Sequence, residues 1–166
     1  LFFLVFIHLN QKKESLNTTT VHIADNHRII IEGIRALLKA NNLKPKGASF
    51  NGFQIINWFK ENSADILLLD ISMPNMDGFE ILKYFKDHNI QQKIIICSGY
   101  MQIDFITKSF NLGASGFVSK AEAANCIIKA RDEVKQGNVF VSDDVCNLMK
   151  NHDLSFSSDN KLQVKY

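Results

Sequence analysis

Apolar and polar positions are grouped in blocks along this chain rather than alternating residue by residue. Val21-His22-Ile23-Ala24, Ile66-Leu67-Leu68-Leu69, Ile94-Ile95-Ile96-Cys97 and Gly116-Phe117-Val118 are short, nearly continuous apolar runs. Such runs predict strands covered on both faces, and hence a parallel sheet. A shorter run, Gly47 to Phe50, predicts a further strand after the first. Between the strands the apolar residues recur at helical spacing. Ile30, Ile31, Ile34, Leu37 and Leu38 share a face that stops at Asn41-Asn42, and Ile55, Ile56 and Phe59 follow Asn51 as N-cap. Ile81, Leu82 and Phe85 follow Gly78, and Ile103, Ile106 and Phe110 lead to a stop at Gly113. Ala121 to Gln136 predicts the last helix of the alternation. Five strands alternating with helices predict a doubly wound α/β domain with helices on both faces. Beyond Gly137, the stretch Asn138 to Ser142 leads into a short helix ending at Lys150, and residues Asn151 to Tyr166 read as an exposed linker.

Polar residues punctuate this pattern at the strand ends. Asp25, Asp70, Ser98 and Lys120 each follow or end an apolar run. The carboxyl edge of an open parallel sheet is where such folds place their chemistry. If the first and third strands are neighbours, Asp25 and Asp70 lie about one strand spacing apart, roughly 5 Å. Two carboxylates that close repel unless a cation sits between them. Hard oxygen donors suit magnesium. Asp70 is then a competent nucleophile toward a phosphoryl group, with Lys120 and the Ser98 hydroxyl available to its oxygens.

Composition narrows the alternatives. The 166 residues suffice for one domain with tails, and 46% hydrophobic with 22% charged residues is ordinary for a globular chain. A net charge of +2 without a dense basic cluster points neither toward nor away from nucleic acid. Cys97, Cys126 and Cys146 are far apart and have no metal-ligand spacing, which predicts reduced, mostly buried thiols and a cytoplasmic protein. The apolar start, Leu1 to Leu9, is too short to span a bilayer, which takes about 20 residues. It lacks a basic leader and a cleavage site, so no membrane role is expected. Residues 1–19 are read as an N-terminal extension, either translated upstream sequence, a fragment edge or a packing arm.

Read jointly, these pieces closely resemble the receiver domain of bacterial two-component response regulators. The matching segments are Ala24-Asp25-Asn26-His27, Asp70 with Met73-Pro74-Asn75-Met76-Asp77-Gly78, Ser98-Gly99, and Gly113-Ala114-Ser115-Gly116-Phe117-Val118-Ser119-Lys120. The resemblance covers residues 20–137 and implies a flavodoxin-like sheet of order 2-1-3-4-5. It implies Asp70 as phosphoacceptor from a sensor histidine kinase, and Mg2+ held by Asp25, Asp70 and the Ser72 carbonyl. Ser98 becomes the switch hydroxyl, Lys120 the phosphoryl contact and Phe117 the switch aromatic. The face formed by the fourth helix, fifth strand and fifth helix is then expected to change on phosphorylation, favouring a homodimer or releasing an output domain. The Gly-Ala-Ser-Gly-Phe segment and the tail from Gly137 to Ser142 are most similar to the NarL/FixJ (LuxR-type) subfamily, whose members usually carry a DNA-binding output domain. DNA contact is therefore expected only through a downstream domain, with residues 138–166 as short helix and linker.

Two departures matter. Asn26 stands where the family usually has a second acid, offering magnesium a neutral oxygen. No room for an output domain remains before Tyr166, which suggests a truncated chain over a single-domain regulator. A phosphorylation-independent interaction module is the alternative that Asn26 favours. An aspartate-nucleophile phosphatase would want an acid where Ser72 stands. A nucleotide-binding domain would want a glycine-rich loop after the first strand. The chain is thus expected to be a phosphoacceptor rather than an enzyme. Asp77 is read as a helix cap, Trp58 as a packing residue, and His22 and His27 as a strand residue and a helix-start residue without a ligand role.

Overall fold

The apolar run Ile66-Leu67-Leu68-Leu69 is buried along its whole length, and it forms the strand β3 (Ile66–Leu69) inside the sheet. In the computed structural model, which describes residues 19–164, this strand lies between β1 (Thr20–Ala24) and β4 (Lys93–Ser98). With β2 (Lys44–Ser49), β5 (Gly116–Ser119) and β6 (Phe140–Val141), they form one sheet of order β2-β1-β3-β4-β5-β6 in which every pairing is parallel. The helices are α1 (Arg28–Ala40), α2 (Gly52–Glu61), α3 (Gly78–Asp87), α4 (Ile103–Asn111), α5 (Ala123–Lys135) and α6 (Asp143–Asn151). Most of the 1–19 extension, including the apolar start, lies outside the described residues. Thr19 is buried, and its Oγ1 accepts a hydrogen bond from Lys135 Nζ at 2.9 Å.

Alternate strand residues serve opposite cores. Leu67, Leu69, Ile94, Ile96 and Phe117 pack with residues of α2, α3, α4 and α6. Ile66, Leu68, Ile95, Cys97 and Val118 pack with residues of α1 and α5. This two-sided burial is what the unbroken apolar runs predict. The expected punctuation is present as well. Asn42 and Gly113 adopt φ of 57° and 97° after α1 and α4, and Asn51 caps α2 by accepting from the Gln54 amide at 2.9 Å. Asp77 and Glu80 form a reciprocal capping box at the start of α3, as expected of Asp77.

Three expectations need correction. The sheet has six strands, not five, because Phe140 and Val141 pair in parallel with Gly116 and Phe117. Two residues are too few to show a strand pattern, and the partner comes from far away in sequence. The second strand begins at Lys44 rather than Gly47: it is an edge strand, where exposed Lys44 and half-buried Pro45 are tolerated because one side of the backbone needs no partner. The stretch after Asn151 is not a bare linker. It forms an antiparallel hairpin, β7 (Leu154–Phe156) and β8 (Leu162–Val164), with Leu154, Phe156 and Leu162 packed against the α2/α3/α4 core. Phe156 stacks edge-on against Phe110 of α4 at 4.8 Å, and Asn160 at the hairpin turn donates to the Gly137 carbonyl at 3.1 Å.

Candidate functional site

The sheet register brings the polar strand ends to one edge. Ala24 pairs with Leu69, so Asp25 and Asp70 leave neighbouring strands at the same level. Backbone hydrogen bonds continue one step further, from the Asp70 amide to the Ala24 carbonyl at 2.8 Å and from the Asp25 amide to the Ser49 carbonyl at 3.1 Å. On the other side, Ser98 pairs with Ser119, and the Lys120 amide donates to the Ser98 carbonyl at 2.9 Å. Gly78 keeps the loop after Asp70 tight. A Cβ there would lie 2.6 Å from the Asp70 carbonyl oxygen and 2.8 Å from Ile71 Cα, so a side chain would push the Asp70 backbone aside.

At this edge Lys120 Nζ sits between two buried carboxylates, 2.7 Å from Asp25 Oδ2 and 2.9 Å from Asp70 Oδ2. The other oxygens have their own partners. Asp25 Oδ1 accepts from the His27 amide at 2.8 Å and lies 2.9 Å from His27 Nδ1, while Asp70 Oδ1 accepts from the Ser72 amide at 3.2 Å. Burial pushes the Asp70 carboxyl above the usual aspartate range, with the Asp25 charge adding to it, and the hydrogen bond and charge of Lys120 only partly offset this. Burial also works against the Lys120 ammonium, but hydrogen bonds to and charges of Asp25 and Asp70 overcome it and raise its pKa. The acid pair thus attracts a cation strongly enough to hold a lysine out of bulk water.

The structure brings Asp25, Asp70, Lys120 and the Ser72 amide into direct contact. Ser98 is fully buried at the adjoining strand end, and its Oγ accepts from the Tyr100 amide at 3.0 Å; it is not hydrogen-bonded to Asp70. Asn26 is exposed beside the pair. Phe117 is fully buried in the core shared with Ile106, Val145 and Met149. Two features were absent from the reading of the sequence. His27 starts α1 as expected, yet its ring rests against Asp25. Its position two residues after an aspartate is the signal, because a carboxylate commonly accepts from the amide two residues on. The second feature is a network behind Lys120: the Ser119 amide donates to Ser142 Oγ at 3.1 Å, and Ser142 Oγ donates to Asp144 Oδ1 at 2.6 Å. Together with the Ser142 amide donating to the Phe117 carbonyl at 3.1 Å, it ties the end of β5 to the start of α6. No sequence spacing signals it, since 23 residues separate Ser119 from Ser142.

Asp25, His27 and Asp70 form the group of possible metal ligands found among the described residues, with one donor atom of each within 4.8 Å of the others. Cys97, Cys126 and Cys146 are free; burial pushes the Cys97 thiol up to about 12 and the half-buried Cys126 thiol up to about 11, which keeps both protonated. Among the described residues no helix is long and apolar enough to cross a membrane.

The family profile of the response regulator receiver domain matches residues 21–132. The chain belongs to this receiver family. Receiver domains are regulators that bind Mg2+ at an acidic pocket, interact with histidine kinases and act through phosphorylation, and in this structure Asp25 and Asp70 form an acidic cluster. The receiver is similar to the response regulator UvrY of Escherichia coli (strain K12), with 27% identity over 130 residues, covering 78% of this chain and 60% of that protein. It is also similar to the isolated receiver domain of RcsB from Salmonella enterica serovar Typhimurium, solved with the phosphomimetic BeF3−. That match has 29% identity and a TM-score of 0.74, over 80% of this chain and 99% of the other. A structure of two RcsB dimers bound to two parallel DNAs matches with 27% identity and a TM-score of 0.75, over 86% of this chain and 72% of the other. These similarities place the receiver with the NarL/FixJ-type regulators, as the Gly-Ala-Ser-Gly-Phe segment implies. The chain thus spans about 60% of the length of UvrY.

Proposed function

We propose that Asp70 is the phosphoacceptor of this receiver. A carboxylate oxygen of Asp70 forms the new P–O bond while the P–N bond of a sensor kinase's phosphohistidine breaks. The observation that carries this assignment is the Lys120 ammonium bridging Asp25 and Asp70 at 2.7 and 2.9 Å. It supports this reading because the pocket concentrates positive charge beside a buried carboxylate. Asp25, Asp70 and the Ser72 carbonyl would hold Mg2+, with the neutral oxygen of Asn26 beside them. Bound there, the ion supplies charge neutralisation for the equatorial phosphoryl oxygens. Lys120 swings from its carboxylate bridge onto one phosphoryl oxygen, and Ser98 exchanges its contact with Tyr100 for another.

β5 is not a free edge, because β6 and α6 cover the side on which Phe117 lies. On this reading the α4/β5/α5 face changes on phosphorylation, and β6 and α6, packed beside β5, are placed to carry that change onward. A sensor histidine kinase is the input partner, and the regulator itself is cytoplasmic. The output is a downstream DNA-binding domain, with pairing of two receivers on phosphorylation, as the dimeric, DNA-bound RcsB suggests. The boundaries in keeping with this are a receiver over 20–137, then a short helix and linker over 138–166 in which Leu154, Phe156 and Leu162 pack on the core.

The test is incubation with Mg2+ and a small phosphodonor, read by intact mass. Wild type is expected to gain one phosphate and Asp70→Ala none; equal incorporation by both removes Asp70 as acceptor. Asn26 supports a second reading, a receiver that binds its partner without phosphate. Partner binding that survives Asp70→Asn unchanged is the result that favours it.

A further inference from the structure

We infer that His22 is a positioning residue for the acid pair: its buried ring locks the register of the edge strand β2 and thereby holds Asp25 beside Asp70. The inference rests on the reading of Asp25 and Asp70 as the cation and phosphoryl pocket, and adds a residue that supports it. The pairing of β2 with β1 is not continuous. Val21 is paired with Pro45 and His22 with Gly47, so the register skips Lys46. An edge strand with such an irregularity is bonded on one side only, and a slip by one residue would turn its side chains over. After the skip the pairing recovers, and it ends with Ser49 opposite Ala24. The Asp25 amide donates to the Ser49 carbonyl at 3.1 Å, so the backbone of Asp25 depends on where β2 ends.

His22 sits where this register is set. Its fully buried ring lies against Gly47, where a Cβ would meet Nδ1 at 2.8 Å and Trp58 Nε1 at 2.9 Å. A glycine at this position is what lets the ring approach the β2 backbone so closely. Trp58 of α2 packs on the same ring, with centroids 4.1 Å apart, and Phe59 meets it edge-on at 5.5 Å. His22 Nε2 then reaches the buried Ser49 Oγ at 2.8 Å, two residues beyond Gly47 and on the same face of β2. Nδ1 has no partner among the described residues, so the contact with Ser49 is the one that gives the ring its direction. Asn51, two residues further on, caps α2 and so returns Trp58 to the ring. Ring, glycine, serine and tryptophan thus enclose the carboxyl end of β2. An apolar pair in place of His22 and Ser49 would fill the space equally well; the polar pair adds a fixed register.

The experiment compares the full chain with His22→Gln and with a double variant, His22→Leu with Ser49→Ala, by amide hydrogen exchange and by calorimetric titration with Mg2+. The double variant leaves neither partner orphaned, and is expected to keep the protection of the β3 and β4 amides. Its Asp25 amide should exchange at least about ten-fold faster than in wild type. Its Mg2+ affinity should fall by about ten-fold, the loss expected when a group that orients a ligand is removed. His22→Gln, whose side-chain amide can donate to Ser49 Oγ, should keep both near wild type. Unchanged Asp25 exchange or unchanged Mg2+ affinity in the double variant overturns the inference, and so does an equal loss in His22→Gln. Equally faster exchange throughout β3 and β4 would mark a merely structural role and overturn it too. Phosphate incorporation by wild type with Mg2+ is read in parallel: its absence fails the phosphoacceptor reading, while the Asp25 exchange still decides the role of His22.

Discussion

His22 shows what burial does to one titratable ring. It is fully buried in β1, its Nε2 lies 2.8 Å from Ser49 Oγ, and its ring sits 4.1 Å from that of Trp58. Its Nδ1 has no hydrogen-bond partner. Burial, with a smaller contribution from the Arg35 charge, lowers its pKa from 6.5 to about 4. The unfolded chain therefore takes up a proton that the folded chain refuses across this window, and stability falls as pH drops from 6.5 toward 4. The slope attributable to this ring is about 1.4 kcal/mol per pH unit. Urea unfolding at pH 6.5 and pH 5 should show it in wild type and a clearly flatter dependence in His22→Gln; identical slopes would exclude His22 as the cause. Asp70 acts in the opposite sense. Its raised pKa means that protonation favours the folded state as pH falls into the carboxylate range. His22 lies in a strand and Trp58 packs on a helix, as expected, because an apolar strand run and an amphipathic helix face specify both. The orphaned Nδ1 was not legible, since it depends on what Gly47 leaves room for: a Cβ there would meet that atom at 2.8 Å.

At the scale of elements, the segment after α5 behaves as two pieces of different strength. α6 inserts Val145 and Met149 fully into the core that contains Phe117. The hairpin lies outside it, with half-buried Leu154, Phe156 and Leu162 and the Phe110 contact as its anchors. Phe156→Ala should therefore cost about 1–2 kcal/mol, less than a fully buried aromatic. The loss should appear as faster amide exchange in β7 and β8, with β3 and β4 unchanged. Val145→Ala should cost about 2 kcal/mol and lower the thermal midpoint of the whole domain. Equal global destabilisation by both variants would mean that the hairpin is integral to the core. Helical periodicity made α6 legible in advance; the hairpin was not, because its apolar residues are few and its partner surface is α4.

For the whole molecule, the question is how a charge on Asp70 reaches the far end of the chain. The described contacts offer one covalent step and one network: Lys120 adjoins Ser119, and Ser119 is tied through Ser142 to Asp144 at the start of α6. Asp144 stays ionised there. Burial opposes its charge, but the hydrogen bonds from Ser119, Ser142 and the Val145 amide outweigh it and lower its pKa. On the proposed mechanism, movement of Lys120 onto a phosphoryl group is expected to disturb this network at the α6 start. Hydrogen exchange with Mg2+ and beryllofluoride should change over residues 142–164 in wild type and not in Asp70→Ala. A response confined to the loops around Asp70 would show that the connector does not read the site.

The chain's own order of residues determined the alternation of strands and helices, the helix stops and caps, and the acid, hydroxyl and lysine at the strand ends. Each of these follows from local periodicity or from the chemistry of one turn. Tertiary structure alone decided three other things: the sixth strand on β5, the hairpin on α4 and the ring of His27 against Asp25. The first two join short segments to partners distant in the chain, where the energy lies in pairing and burial rather than in any local pattern. The third depends on the turn at the end of β1, which aims a helix-start histidine back at the carboxylate two residues before it.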